Sequence, residues 1–389
     1  MWINRVLSSK IEQLSHKFPI ITLTGPRQSG KSSLLRKVFP DYKYVSLENP
    51  DIRDFATNDP KGFISTYAEK VIIDEAQRVP QLFSYIQTHV DEHNQPGMYM
   101  LAGSQNFHLM AAIDQSLAGR TAVLRLLPLS RGELHQAGIL PESADEQIFR
   151  GFYPRLYSMD IDPLDFYPSY TATYVERDVR SLMRIGDLNK FTRFLRLCAG
   201  RIGQLLNMSS LATETGVTIP TIESWISILE ASYILYRLEP DYNNYNKRIV
   251  KTPKLYFYDT GLACSLLGIR TAEQIDTHYM RGALFENMVI NQFVKDAFNA
   301  GQNPDITFWR DSTGLEVDLV RTVGMEQFGY EIKSGQTFKP DFFKSLSKWG
   351  QLSSTPPERL SVIYGGEESL QTSSGRVIPL STCFGSIVE

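Results

Sequence analysis

The chain has 389 residues, more than one ordinary domain holds, so length alone argues for two or three. Hydrophobic residues at 42% and charged residues at 21% give the balance of a folded protein, and a net charge of −3 excludes a globally basic, nucleic-acid-coating chain. Any contact with DNA or RNA must therefore come from a local basic patch. Cys198, Cys264 and Cys383 lie far apart without CxxC or Cys/His spacing, which argues against a disulfide framework or structural zinc and fits a reducing cytosol. No uncharged run of about 18 apolar residues occurs. The polar stretch after Met1-Trp2-Ile3 does not read as a signal peptide, so the expectation is a soluble cytoplasmic protein with no membrane partner.

Residues 19–24 read as a buried strand and 31–38 as the helix after it. Further strands are expected at 42–47, 71–73, 98–102 and 122–126. Strands separated by helical segments predict crossover connections and a parallel α/β sheet. Helical periodicity dominates from about 163 to 231, a tyrosine-rich β-ribbon is expected over 233–258, and a helix from about 281 leads into strands and further α/β segments.

Gly25-Pro26-Arg27-Gln28-Ser29-Gly30-Lys31-Ser32 satisfies GxxxxGK[ST] between a strand and a helix, the context that a phosphate-binding loop needs. Gly25 and Gly30 let the loop curl so that successive N–H groups face phosphate oxygens, and the helix adds its positive end. Lys31 reaches the β- and γ-phosphates, and Ser32 can ligate Mg²⁺. The expected ATP-binding set is Gly25, Pro26, Arg27, Gln28, Ser29, Gly30, Lys31, Ser32 and Ser33.

The apolar run Val71-Ile72-Ile73 ends in Asp74-Glu75. Asp74 would hold Mg²⁺ through its water shell, and Glu75 would orient and deprotonate the attacking water. An acidic pair of this kind favours water over a substrate hydroxyl, against a small-molecule kinase. Gly103-Ser104-Gln105 ends the next strand, where Ser104 or Gln105 would lie between the two motifs and sense the γ-phosphate. Arg120, in Ser116-Leu117-Ala118-Gly119-Arg120, is either a surface ion-pair partner or a phosphate-facing arginine, in its own chain or a neighbour's.

Together TGPRQSGKSSLL, VIIDEAQRVP, LAGSQN and SLAGR resemble the AAA+-type ATPases found widely in bacteria and archaea. In that family a poorly characterised C-terminal domain of restriction-endonuclease-like ancestry follows the ATPase. The resemblance runs through YVERDV (174–179) and KLYFYDTGL (254–262), and it implies a polar sensor at Ser104 and a phosphate-facing arginine at Arg120.

Residues 209–230 outline two helices around Gly216, with Ser209 and Thr218 as caps, Pro220 in the first turn of the second, and Ile222, Trp225, Ile226 and Leu229 on one face. With the ribbon as a wing, this is a winged-helix outline. Lys247, Arg248, Lys251 and Lys254, interleaved with Tyr242 and Tyr245, are candidate phosphate contacts, whereas Thr221, Glu223, Ser224 and Ser227 on the outward face carry no Arg or Lys for major-groove reading. Structural packing is the competing reading.

Asp318 lies in an alternating strand, and Glu331-Ile332-Lys333 in the next puts Glu331 and Lys333 on one face. This D…ExK pattern resembles the PD-(D/E)xK nuclease core, in which two carboxylates hold Mg²⁺ and the lysine stabilises developing charge. Glu286 falls on the apolar face made by Ala283, Val289, Ile290 and Phe293, where a metal or the Lys333 ammonium would compensate its charge. The family pattern likewise places a helix glutamate in the site.

The expected architecture is therefore an AAA+-like ATP-binding domain over 1–162, a helical and winged-helix segment over 163–270, and a PD-(D/E)xK nuclease-like α/β domain over 271–389. The expected function is Mg²⁺-dependent ATP hydrolysis coupled to action on DNA or RNA, with a homo-oligomer among the partners. The alternative is a nucleotide-dependent switch that binds a protein or DNA partner and cuts nothing.

Overall fold

A computed structural model describes residues 1–104, 116–175, 188–243 and 250–383. The first layer is a five-stranded sheet of β1 (Ile20–Thr24), β2 (Lys43–Ser46), β3 (Val71–Asp74), β4 (Tyr99–Gly103) and β5 (Thr121–Arg125). Its order is β2-β3-β4-β1-β5, and every pairing is parallel. β1, β3 and β4 are apolar runs buried along their whole length, as strands covered on both faces must be.

Because the strands run the same way, the loops after β1, β3 and β4 leave from one edge of the sheet. β4 lies between β1 and β3, so the residue that follows it emerges between the phosphate loop and the acidic pair. The helix Lys31–Val38 matches its expected bounds, with Gly30 at the N-cap in the left-handed region.

The middle helices include Pro163–Tyr170, Leu188–Ala199, Met208–Thr215 and Ile219–Ala231. The last two form the expected helix pair around Gly216. Asn207, not Ser209, caps the first, because its side chain accepts the N–H of Ser210. Thr218 caps the second as expected, and Ile222, Trp225, Ile226 and Leu229 are buried. The ribbon follows as β6 (Leu235–Leu238) paired antiparallel with β7 (Lys254–Phe257). Tyr245, Lys247 and Arg248 lie outside the described residues, as do Gln105 and most of YVERDV.

The last layer is a mixed six-stranded sheet of β8 (Ile306–Arg310), β9 (Glu316–Val323), β10 (Glu326–Lys333), β11 (Leu360–Tyr364), β12 (Leu370–Thr372) and β13 (Gly375–Pro379), in the order β12-β13-β11-β10-β9-β8. β8 was not expected; it is an edge strand with only Phe308 and Trp309 fully buried, too short an apolar signal to read. The helix Arg281–Asn299 packs on β10, with the rings of Phe293 and Tyr330 5.0 Å apart. One apolar cluster takes Phe191 and Phe257 from the middle segment together with Phe285 and Tyr330, so ribbon and C-terminal sheet share a core. Among the described residues, no helix is long and apolar enough to cross a membrane.

Candidate active sites

The phosphate loop follows β1 directly. Gly25 has φ 148°, and a Cβ there would fall 2.1 Å from the Leu126 carbonyl oxygen; Gly30 has φ 95°. Both positions need glycine for the loop to curl beside β5. Lys31 is buried, and its Nζ donates to the carbonyls of Gly25 at 2.9 Å and Pro26 at 2.8 Å, which places the ammonium inside the curl.

Ser32 Oγ donates to Asp74 Oδ2 at 2.7 Å, and Tyr44 OH donates to the same oxygen at 2.8 Å. Burial, reinforced by Asp74, pushes the Tyr44 phenol up to about 12, so it remains a donor. Glu75 has φ 53°, a left-handed conformation that costs a non-glycine residue and turns the carboxylate sharply off the strand. Gln77 Nε2 donates to Glu75 Oε2 at 2.6 Å, and Ser104 Oγ lies 3.3 Å from Oε1. The structure thus brings Lys31, Ser32, Asp74, Glu75 and Ser104 together.

Other segments clamp the loop from behind. Arg5, buried, donates to the Ser29 carbonyl at 2.8 Å and pairs with buried Glu133 at 3.0 Å. Tyr170 OH lies 3.5 Å from the Arg27 carbonyl oxygen, and Tyr233 OH shares a 2.7 Å hydrogen bond with Thr24 Oγ1. A cavity of ≈ 290 Å³ opens beside the loop, lined by Trp2, Ile3, Gln28, Ser33, Pro154 and Arg155. Gln28 Oε1 and Ser29 Oγ are buried in the loop without partners. These orphaned polar atoms, the inward lysine and the Ser32–Asp74 contact fit a nucleoside triphosphate with its Mg²⁺.

Arg120 sits elsewhere. Thr121 pairs with Ile20 and Arg125 with Thr24, so Arg120 precedes β5 at the opposite edge of the sheet from the loop. A five-residue strand at about 3.3 Å per residue separates the two edges by about 16 Å. Its guanidinium forms a surface pair with Asp91, at 2.5 and 2.7 Å. The reading in which Arg120 faces the phosphate of its own chain is therefore corrected.

A second acidic group lies in the C-terminal sheet. Tyr330 pairs with Leu319, so the antiparallel register carries Glu331 opposite Asp318. Ile332 N–H donates to Asp318 Oδ2 at 2.8 Å, and Lys333 Nζ lies 2.5 Å from Glu331 Oε1 and 3.8 Å from Asp318 Oδ2. The expected D…ExK face is formed. Burial pushes the Glu331 carboxyl up to about 8, with Asp318 adding repulsion. Its Oε2 is buried without a partner, an orphan that fits a divalent cation held with Asp318.

Two expectations are corrected here. Lys254 is not a wing cation: it is buried, with Nζ 2.5 Å from Glu316 Oε1 and 3.4 Å from Glu286 Oε1, above the Phe308 ring. Burial opposes its charge, but Glu286, Asp318 and Glu316 outweigh burial and hold the ammonium above the usual lysine range. Glu286 is accordingly compensated first by Lys254 and by Tyr256, whose OH donates at 2.5 Å, with Lys333 a weaker and more distant partner. Gln77, Tyr44, Arg5, Tyr256 and Glu316 went unread in the sequence. A lysine heading the apolar run Leu255-Tyr256-Phe257 was the readable signal for Lys254, since a charge entering a core strand needs a buried partner.

Comparison with known proteins agrees with the first site. Residues 17–135 match the family described as AAA domain. Residues 141–273 and 281–383 match two families described as domains of unknown function, DUF8612 and DUF4143. Two proteins named as uncharacterized, from Mycobacterium bovis and Mycobacterium tuberculosis, are each 30% identical over 369 residues, which cover 93% of this chain and 80% of theirs. Among solved structures, a Walker-type ATPase of Pyrococcus abyssi is similar at 17% identity and TM-score 0.45, over 67% of this chain and 94% of that one. DnaA from Aquifex aeolicus bound to AMPPCP is similar at 15% identity and TM-score 0.29, over 58% of this chain and 86% of that one. The chain belongs to the family of the two mycobacterial proteins, and its N-terminal sheet is an AAA-type P-loop ATPase domain.

Proposed function

We propose that the chain is a magnesium-dependent ATPase whose nucleotide cycle acts on a C-terminal, restriction-endonuclease-like site for phosphodiester chemistry on nucleic acid. The convergence of Lys31, Ser32, Asp74 and Glu75 at one edge of one parallel sheet carries this reading. Mg²⁺ between Ser32 and Asp74 would neutralise charge on the β- and γ-phosphate oxygens. Lys31 exchanges the carbonyls of Gly25 and Pro26 for phosphate oxygens. Glu75 accepts the proton of the attacking water, while Ser104 and Gln77 hold its carboxylate in line. The base lies in the cavity beside Trp2 and Arg155. Arg120, across the sheet from the loop of its own chain, would act on the nucleotide of a second copy in a homo-oligomer.

In the C-terminal sheet, Asp318 and Glu331 would hold a divalent cation, which would supply Lewis-acid activation of a phosphodiester, and Lys333 would stabilise charge on a scissile phosphate. Exposed Lys251, next to Val250, whose N–H donates to the Arg310 carbonyl, is a backbone contact. One observation favours the second reading, a nucleotide switch that cuts nothing: Glu286 already has protein partners in Lys254 and Tyr256. A cleavage assay on single- and double-stranded DNA and on RNA, with Mg²⁺ or Mn²⁺ and with or without ATP, separates the two. Cleavage abolished by Lys333→Ala and by Asp318→Ala supports the nuclease; ATP turnover without cleavage of any form leaves the switch.

A further inference from the structure

The carboxylates around the C-terminal site interact with one another but differ in their close partners. Glu286 and Glu316 face two cations: Lys254 touches both, and Arg310 Nη1 lies 2.9 Å from the second oxygen of Glu316. Tyr256 adds a hydrogen bond to Glu286. Lys254 is among the most buried cations of the described residues. Asp318 and Glu331 have Lys333 as their nearest cation, Asp318 also feels the Lys254 charge, and Glu331 Oε2 is a buried oxygen without a partner.

Its contacts hold Glu286 in place as well. Drawing Glu286 toward Asp318 would break its contacts to Lys254 and Tyr256 and leave the buried ammonium with Glu316 as its one close carboxylate, which is costly. Lys254 and Tyr256 stand on β7 of the ribbon, whose pairing with β6 and shared core with the C-terminal sheet fix them in place.

We infer that Lys254 stands where a second metal ion would otherwise sit, so that the C-terminal site takes one divalent cation, at Asp318 and Glu331, while Glu286 ligates none. The inference rests on the proposed cation site. Lys254 is thus a positioning residue: it holds Glu286 and Glu316 in a fixed acidic wall beside the single ion and ties the ribbon to the site.

Mn²⁺ titration of the full-length, nucleotide-free chain, followed by electron paramagnetic resonance, tests it. The ion count is read as the difference between wild type and Asp318→Asn, which cancels sites elsewhere. The expected difference is one ion. Glu286→Gln keeps that ion with affinity within about twofold, whereas Glu331→Gln weakens it about tenfold or more. Lys254→Met, which removes the cation beside Glu286, takes one ion more than wild type. A difference of two ions, a tenfold loss in Glu286→Gln, or a folded Lys254→Met chain that takes no further ion overturns the inference while leaving the cation site standing. No difference between wild type and Asp318→Asn overturns the cation site itself, and this inference with it. Glu286→Gln decides the matter if Lys254→Met does not fold, since an amide still accepts from Tyr256 and Lys254.

Discussion

Ser32 Oγ donates a 2.7 Å hydrogen bond to Asp74 Oδ2, 42 residues away in the chain and on the far side of β4. A hydroxyl and a carboxylate held this way present two oxygens to one side of the phosphate loop, where a magnesium ion needs them. The neighbouring Glu75 carboxylate, turned away by its left-handed backbone, is left for water.

That division of labour predicts separable defects. Lys31→Ala should weaken ATP binding, read by fluorescence of a nucleotide analogue. Glu75→Gln should bind ATP as wild type does and lower turnover about 10²- to 10⁴-fold, the usual contribution of a positioned base. ATP hydrolysis surviving both substitutions would remove the ATPase assignment of this site.

Arg120 stands across the sheet from the loop of its own chain, so its effect should appear only between copies. Turnover per chain is expected to rise with protein concentration in wild type and to stay flat in Arg120→Ala. Mixing Arg120→Ala with Glu75→Gln should restore activity, because one supplies the intact site and the other the arginine. A mixture no more active than its parts would confine Arg120 to its surface pair with Asp91.

Burial raises the Glu331 carboxyl to about 8 and the Glu286 carboxyl to about 7, the latter despite Lys254. Both native values lie above the ordinary 4.5, so the folded chain binds these protons more tightly than the unfolded chain. Their stabilising contribution is complete below that ordinary value and is lost as pH rises through the native values. Tm should therefore fall between about pH 6 and pH 8.5, less steeply in Glu331→Gln, and added Mg²⁺ should restore it at the upper end. A slope unchanged by Glu331→Gln would show that this carboxyl is ionised throughout.

Arg5 and Glu133 form a buried pair in which the arginine also holds the Ser29 carbonyl. Arg5→Met leaves the Glu133 charge in the core with only backbone donors, and should cost roughly 3–5 kcal/mol in urea unfolding. A loss below 1 kcal/mol, roughly the value of an exposed pair, would mean that water reaches Glu133.

The nucleotide site was legible because its chemistry is local. A glycine-bounded curl, a lysine and a serine occupy one short stretch, and the acidic pair closes an apolar strand, so residue type and order nearly dictate where they go. The place of Ser104 between the two motifs was readable from its strand end, but the full order of the strands and the position of Arg120 at the far edge were not. Pairing across a sheet depends on how separate segments pack, which periodicity along the chain does not record.

The C-terminal site divides the same way. Alternation alone placed Glu331 and Lys333 on one face, since successive side chains of a strand point to opposite sides. The fate of Lys254 and Glu286 was decided by the fold: ribbon and helix bury Lys254 beside a half-buried Glu286, and a buried charge is stable only with its counter-charge at hand. Tyr233, whose φ of 56° lets its hydroxyl reach Thr24 at the root of the phosphate loop, belongs to the same class. Residue identity determined what chemistry the chain carries, and only packing between distant segments decided which charges were left over to perform it.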